Sequence, residues 1–222
     1  MRLHWASGPQ GSSAFLLQQH NMLDDWQIDF TVKVTKSNSW GTHGGQFGFV
    51  AQNKGATEIG STDAFSGLGA GSLGVIFDVW DDTGKVFKNG GVDETANQIG
   101  RTDDVDDVTN GQFNSYRVTY NAYHKVLAFY FNSGTEIVST MAPKMTIQED
   151  LNTVFTTNLG YAWIGFGVRV GSGSWTRIET SSFKLSSVKT SIAHSRIEED
   201  KLALPISGSF VVDAKGSCGT YR

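Results

Sequence analysis

The chain has 222 residues, of which 39% are hydrophobic and 18% are charged, and its formal net charge is -4. This length fits one large domain, or one domain with a fragment of a second, and allows a sizeable core without disulfides. The acidic balance argues against a nucleic-acid partner, no apolar run is long enough to insert into a membrane, and one cysteine, Cys218, excludes an internal disulfide.

The clearest strand pattern covers residues 27–35, where Ile28, Phe30, Val32 and Val34 share one face and polar residues share the other. Similar patterns predict strands at Gly45–Gln52, Leu73–Trp80, Tyr116–Tyr120, Val126–Asn132, Ala162–Val170 and Arg177–Leu185. Residues 126–131 are apolar on both faces, which is typical of a strand covered on each side. These strands predict an all-β fold, an antiparallel β-sandwich with long loops.

Turn-rich segments separate the predicted strands, at residues 37–45, 55–71, 81–91 and 171–174. Only Met145–Leu151 carries a helix signal, because Thr146 is a candidate N-cap and Glu149 follows at the spacing of a capping box.

The predicted domain boundaries follow a change of composition after Leu185. Residues 1–12 are expected to be an N-terminal extension, 13–186 the sandwich and 187–193 a linker. Residues 194–222 are predicted either to pack on the sandwich as a tail or to begin a second β module. The second alternative rests on the alternating residues Phe210–Lys215, which resemble the opening of a filamin-type immunoglobulin repeat.

Several catalytic or cofactor motifs are absent or misplaced. Residues 69–74 match G-x-G-x-x-G but precede a strand, whereas a dinucleotide site needs this loop before a helix. There is no G-x-S-x-G elbow and no zinc spacing among the histidines. Ile76 stands where the first carboxylate of a β-sandwich glucanase would be. We therefore expect that the protein is not an enzyme.

Two acidic clusters are candidate sites for a hard cation. Residues 103–107 carry four carboxylates, which predict either a solvated loop or a cation site. Asp78, Asp81 and Asp82 follow a strong strand, and like charges this close repel unless a cation or outward splay separates them.

The order of segments resembles that of the L-type, or legume-like, lectins, in the style of the calcium-dependent mannose-binding cargo receptors. The resemblance spans residues 13–186. It is carried by the segments Ser13–Leu16, Trp26–Thr35, Gly44–Asn53, Gly67–Trp80, Tyr116–Tyr120, Val126–Phe131, Ile164–Val168, Gly171–Gly173 and Thr180–Phe183. It implies a concanavalin-like jelly roll.

The resemblance also implies a Ca2+ cofactor and a sugar site. The calcium ligands would be Asp78, the carbonyl oxygen of Trp80 and Asp82, with Asp81 serving an adjoining site. Ile76 replaces the Glu that holds a transition metal in plant members, so no such metal is expected. The implied sugar-binding residues are Asp82, His43, Gly44, Gly69, Gly71, Gly171, Ser172 and Gly173.

One departure from the family pattern concerns the sugar site itself. The family has an Asp that accepts two sugar hydroxyls where this chain reads His43-Gly44-Gly45. Losing that acceptor costs roughly 1–3 kcal/mol, and His43 or Asp63 is the candidate substitute. Three tryptophans are predicted at the same rim, either as sugar platforms or as packing residues: Trp40, Trp80 and Trp175.

These observations predict a non-catalytic carbohydrate-binding domain, assisted by calcium, within a larger secreted or surface protein. The partners would be glycans or glycoproteins, and the setting the secretory pathway or the cell exterior, where weak calcium sites can fill. The alternative is a structural or assembly module of an extended extracellular protein that has lost sugar binding and contacts neighbouring subunits. The absent acidic acceptor and the filamin-like tail favour this alternative.

Overall fold

The computed structural model describes residues 2–4, 10–36, 45–55, 69–79, 81–90, 96–134, 136–170, 176–188 and 206–207. Within these ranges the regular secondary structure consists of strands, apart from two short 3-10 turns. In chain order they are β1 (Arg2–His4), β2 (Gln10–Asn21), β3 (Asp25–Lys36), β4 (Gly45–Gln52), β5 (Ser72–Asp78), β6 (Thr83–Lys88), β7 (Gln98–Thr102), β8 (Phe113–Asn121), β9 (Val126–Asn132), β10 (Met145–Gln148), β11 (Tyr161–Val170), β12 (Thr176–Val188) and β13 (Ile206–Ser207).

The strands form two sheets, which confirms the predicted all-β sandwich. Sheet 1 has the order β1-β12-β3-β8-β9-β10, with β13 also paired to β12. Sheet 2 has the order β2-β11-β4-β5-β6-β7. The strand pairs are antiparallel, for example β4 with β5 and β3 with β12. The helices in the described residues are two single 3-10 turns, and none could cross a bilayer.

The main core lies between the two sheets and is rich in aromatic rings. The rings of Phe30 and Tyr116 stack at a centroid distance of 5.1 Å and an angle of 9°. Phe77 packs on Tyr116 at 4.5 Å and so joins sheet 2 to sheet 1. Burying such large rings is the main favourable contribution to folding here.

A second apolar cluster lies on the other face of sheet 2. It contains Phe15, Val50, Ile76 and Phe87, with Trp163 packed against it. Side chains alternate between the two faces of a strand. Leu73, Val75 and Phe77 of β5 therefore belong to the main core, and Ile76 belongs to the second cluster. Asp78 follows the same alternation and shares the outer face with Ile76.

Two local predictions were wrong. The helix signal at Met145–Leu151 gives strand β10 instead, because Met145 and Ile147 alternate inward and pack on the core. Asp150, not Thr146, then caps a short 3-10 turn at Leu151–Thr153. The turn-rich segment 81–91 contains strand β6, in which Val86 and Phe87 are buried on opposite faces.

The strands extend beyond the predicted limits of the sandwich at residues 13 and 186. Arg2–His4 pairs with β12, β2 begins at Gln10, and β12 continues to Val188. Ile206–Ser207 also pairs with β12. The other residues of the predicted linker and filamin-like segment, including Cys218, lie outside the described part.

Candidate functional site

The two ends of the β4–β5–β6 meander separate the predicted site residues into two groups. We call the end at which β5 finishes the Asp78 end, and the end at which it starts the Gly71 end. Asp78, Asp81 and Asp82 lie together at the Asp78 end, on the hairpin that joins β5 to β6. Asp82 has φ 50°, a left-handed conformation that Asp tolerates better than most residues.

Gly69 and Gly71 lie at the Gly71 end, so the structure does not bring them near Asp82. The seven residues of β5 place roughly 20 Å between the two groups. Both glycines have positive φ, 69° and 77°. A Cβ at Gly71 would collide with the Asn53 side chain, and the Gly71 amide donates to Asn89 Oδ1 at 3.2 Å. These glycines build a tight turn.

Six further predicted site residues lie outside the described part of the chain: His43, Gly44, Trp80, Gly171, Ser172 and Gly173. The same is true of Asp63, Trp40 and Trp175.

A network of polar side chains surrounds Asp78 on the outer face of sheet 2. Gln46 of β4 donates from Nε2 to Asp78 Oδ2 at 3.0 Å, and Lys85 of β6 donates from Nζ to the same oxygen at 2.9 Å. The Lys85 ammonium also donates to Asp81 Oδ2 at 3.2 Å. Thr83 donates to the other oxygen, Asp81 Oδ1, at 2.5 Å.

The network continues onto β7. Arg101 is directly opposite Lys85 in the β6–β7 register. Its guanidinium lies 3.6 Å from Asp81 Oδ2 and donates from Nε to Asp103 Oδ1 at 2.8 Å. Carboxylates and cationic groups therefore alternate across three neighbouring strands and their loops.

The environment of Asp81 favours its ionised form. Burial would raise its pKa, but hydrogen bonds from Thr83 and Lys85 and the charges of Lys85 and Arg101 act in the opposite direction. The net result is a lowered pKa. A lowered pKa is unsuited to a general acid, which needs its proton near neutral pH.

The acidic segment 103–107 is an exposed loop in which carboxylates have separate partners. Asp103 pairs with Arg101, Asp104 accepts from Lys144 Nζ at 3.0 Å, and Asp107 Oδ1 accepts from the Thr109 amide at 2.8 Å. Between them Val105 points inward and is 6% exposed. The exposed carboxylates with separate partners match a solvated loop, the first of the two predicted alternatives for this segment.

The described side chains do not fit a calcium ion in this arrangement. Calcium prefers six to eight oxygen ligands, whereas Asp78 and Asp81 direct an oxygen each to the Lys85 ammonium. Asp82 Oδ1 instead accepts from the Val108 amide at 3.4 Å. Within the described residues, no group of three His, Cys, Asp or Glu side chains is arranged to hold a metal.

The sequence did not single out Gln46, Lys85 or Arg101. The one signal for Lys85 was its position four residues after Asp81. Its proximity to Asp78 depends on the pairing of Ile76 with Lys85 in the β5–β6 register, and that register is a tertiary feature.

Comparisons with known proteins identify the fold. No protein-family model matches the chain, and no curated protein matches its sequence. Among solved structures, peanut lectin with a nine-residue peptide has a TM-score of 0.62 and 14% identity, covering 85% of this chain and 86% of that one.

Two other solved structures are similar to the same extent. Lectin I-B4 from Griffonia simplicifolia, in a metal-free form, has a TM-score of 0.61 and 12% identity, covering 84% of this chain and 87% of that one. The potassium-bound carbohydrate recognition domain of Emp46p has a TM-score of 0.58 and 14% identity, covering 81% and 79%. At this identity the likeness shows the fold: the chain is a β-sandwich of the legume-lectin, or L-type lectin, type.

Proposed function

We propose that the chain is a non-catalytic carbohydrate-binding domain that binds glycans at the Asp78 end of sheet 2. The observation that carries this proposal is the alternation of Asp78, Lys85, Asp81 and Arg101 on one outer face. Sugar hydroxyls both donate and accept, so alternating carboxylates and cationic groups match neighbouring hydroxyls. The proteins with this fold that are named above are lectins and a carbohydrate recognition domain.

Exposure divides the network into a supporting part and a contacting part. The Asp78 and Lys85 side chains are 13% and 14% exposed, and those of Asp81 and Arg101 are 32% and 46% exposed. Asp81 and Arg101 are thus the groups we propose to touch the sugar. Asp82, His43, Gly44 and the loop Gly171, Ser172 and Gly173 stay in the proposal as sugar-binding residues, and Gly69 and Gly71 do not.

The absence of catalysis is part of the proposal. Glycoside hydrolysis needs one carboxyl group that holds its proton near neutral pH. The carboxylates of Asp78 and Asp81 share the Lys85 ammonium, and the pKa of Asp81 is lowered.

The proposed glycan binding includes no step through calcium, although the resemblance implies that ion. Asp78, Asp81 and Asp82 are the residues that would hold it, and their present hydrogen bonds argue against it. A secretory or extracellular setting suits a glycan-binding domain and belongs to the same proposal.

The test is a glycan array with the wild-type chain, the Asp81→Asn variant and an Asp24→Asn control. Asp24 is exposed near the opposite end, on the β2–β3 turn, so its change alters the same charge away from the site. We expect the wild type and the control to bind one glycan class, and Asp81→Asn to bind it at least about tenfold more weakly. Equal binding by all three would place the sugar elsewhere. No binding by folded wild-type protein would favour the assembly-module alternative.

A further inference from the structure

Two of the three carboxylates that the resemblance assigns to calcium, those of Asp78 and Asp81, already have a cationic partner within the chain. Lys85 Nζ lies 2.9 Å from Asp78 Oδ2 and 3.2 Å from Asp81 Oδ2, so one ammonium bridges both side chains. The side chains of Lys85 and Asp78 are 14% and 13% exposed. Because water has little access, this attraction is screened less than that of a surface ion pair.

The strand register holds Lys85 in this position. Ile76 is opposite Lys85, and Asp78 is opposite Thr83, so Lys85 is the diagonal neighbour of Asp78 on the same face. Phe87, two residues further along β6, packs in the outer-face cluster with Ile76 and keeps this face of the strand in place. The pairing of β5 with β6 therefore fixes the position of the ammonium.

Two further donors contact the same two acids. Gln46 donates to Asp78, and Thr83 donates to the second oxygen of Asp81. Asp82 is directed instead to the Val108 amide. A dication placed between Asp78 and Asp81 would meet an ammonium about 3 Å from each Oδ2 atom, and like charges at such a distance repel strongly.

We propose that Lys85 is an internal cation that replaces the divalent metal of this fold and holds the β5–β6 hairpin without calcium. The proposal concerns the hairpin and is independent of what the protein binds. Its consequence, that glycan binding is unaffected by a chelator, rests on the function proposed above.

The experiment compares melting temperatures in calcium chloride and in EDTA for the wild type, Lys85→Met and the matched control Lys88→Met. Lys88 lies on the same strand near the Gly71 end and pairs with Glu149 at 2.9 Å. Isothermal titration with calcium chloride accompanies the melts.

We expect the wild type to melt at one temperature in both buffers and to release no binding heat. In EDTA, Lys85→Met is expected to melt about 4 °C or more below the wild type, because Asp78 and Asp81 lose their counter-charge. Calcium is expected to restore part of that loss. Of the three proteins, only Lys85→Met is expected to bind calcium. Lys88→Met is expected to show no difference between calcium and EDTA.

Two results would overturn the proposal. One is a wild-type chain that binds calcium and melts at a higher temperature in it. The other is a Lys85→Met variant that behaves like Lys88→Met in both buffers.

If Lys85→Met does not fold, the double variant Asp78→Asn/Lys85→Met decides the matter. We expect it to fold because a charge of each sign is removed, and failure of the double variant too would contradict charge compensation. Since melting reports on Lys85 without a sugar, failure of glycan binding would not be confused with failure of this proposal.

Discussion

Gln46 and Asp78 face each other across β4 and β5, and Gln46 Nε2 donates to Asp78 Oδ2 at 3.0 Å. This contact exists because of the register between two strands that 19 residues of chain separate, Asn53 to Gly71. The register therefore builds the site: β4 supplies an amide, β5 a carboxylate and β6 the ammonium of Lys85. A slip of one residue in any of these strands would turn that strand's side chain to the other face.

The first prediction concerns the energetic coupling of Asp78 and Lys85. Each single change, Asp78→Ala or Lys85→Ala, removes one counter-charge of a mostly buried group and should lower the free energy of unfolding by about 1–3 kcal/mol. The double change should cost clearly less than the sum. Urea denaturation of the four proteins measures this coupling.

The exposed pair Lys125 and Asp150 is the control for that cycle. Their side chains are 47% and 30% exposed, so their coupling should be smaller. Strictly additive effects at Asp78 and Lys85 would mean that the contact contributes nothing to stability.

The second prediction concerns the close approach of β4 and β5 at Gly48. A Cβ at Gly48 would collide with the carbonyl oxygen of Val75, a backbone atom that cannot move without disturbing the ladder. Gly48→Ala should lower the free energy of unfolding by about 3 kcal/mol. In Gly134→Ala the nearest atom would be 3.6 Å away, and its effect on thermal or urea unfolding should be small. Equal effects of the two changes would contradict the described approach of the strands.

The third prediction concerns the hydroxyl of Tyr116 in the core. Burial raises the pKa of Tyr116 well above its ordinary value and outweighs a lowering effect of Asn114. No atom of the described residues makes a hydrogen bond of normal geometry with this hydroxyl. An unsatisfied buried hydroxyl is costly, so Tyr116→Phe should leave stability unchanged or raise it by about 1 kcal/mol.

Tyr116→Leu is the comparison, because it also removes the ring that stacks on Phe30. It should lower the free energy of unfolding by about 2 kcal/mol or more. A Tyr116→Phe variant that is markedly less stable than the wild type would show that the hydroxyl has a partner in solution.

The fourth prediction concerns the dependence of stability on pH. His20 lines a cavity of about 160 Å³ at the end of the sandwich, with Trp26 and Tyr161, and its Nε2 has no hydrogen-bond partner among the described residues. Burial lowers the pKa of His20 below its ordinary value of 6.5. The unfolded chain thus binds the proton more tightly, and stability should fall as the pH drops below about 6.5.

Melting curves between pH 7.5 and 5 for the wild type, His20→Gln and the exposed-residue control His124→Gln measure this effect. His20→Gln should lose less stability on acidification, and the control should follow the wild type. The same acid-side loss in all three proteins would exclude His20 as its source.

The sequence predicted the strands better than the contacts between them. Gly45–Gln52 and Val126–Asn132 were predicted with the bounds that the structure has, because buried residues and turn signals mark both ends. β6 was missed since Thr83 and Gly84 continue a turn-like run, and β10 was mistaken for a helix because Thr146 and Glu149 imitate a cap. In both, pairing with a neighbouring strand overrides the local signal.

The candidate site could be predicted only in part, because the sequence shows which residues are neighbours along the chain but not which residues meet across strands. The acidic run Asp78–Asp82 was visible because its residues are neighbours in sequence. The bridging role of Lys85 was not, since its contact with Asp78 depends on cross-strand pairing. The glycine loop before β5 pointed to the same site by resemblance, yet β5 itself separates Gly71 from Asp78.

Glycan-array binding of the wild-type chain, measured once in calcium and once in EDTA, tests the central claim most directly. The account predicts binding to one glycan class with the same strength in both buffers, and loss of that binding in Asp81→Asn. Binding in calcium alone would retain the lectin function and contradict the role of Lys85. No binding in either buffer, from protein that melts cooperatively, would contradict the proposed carbohydrate-binding function itself.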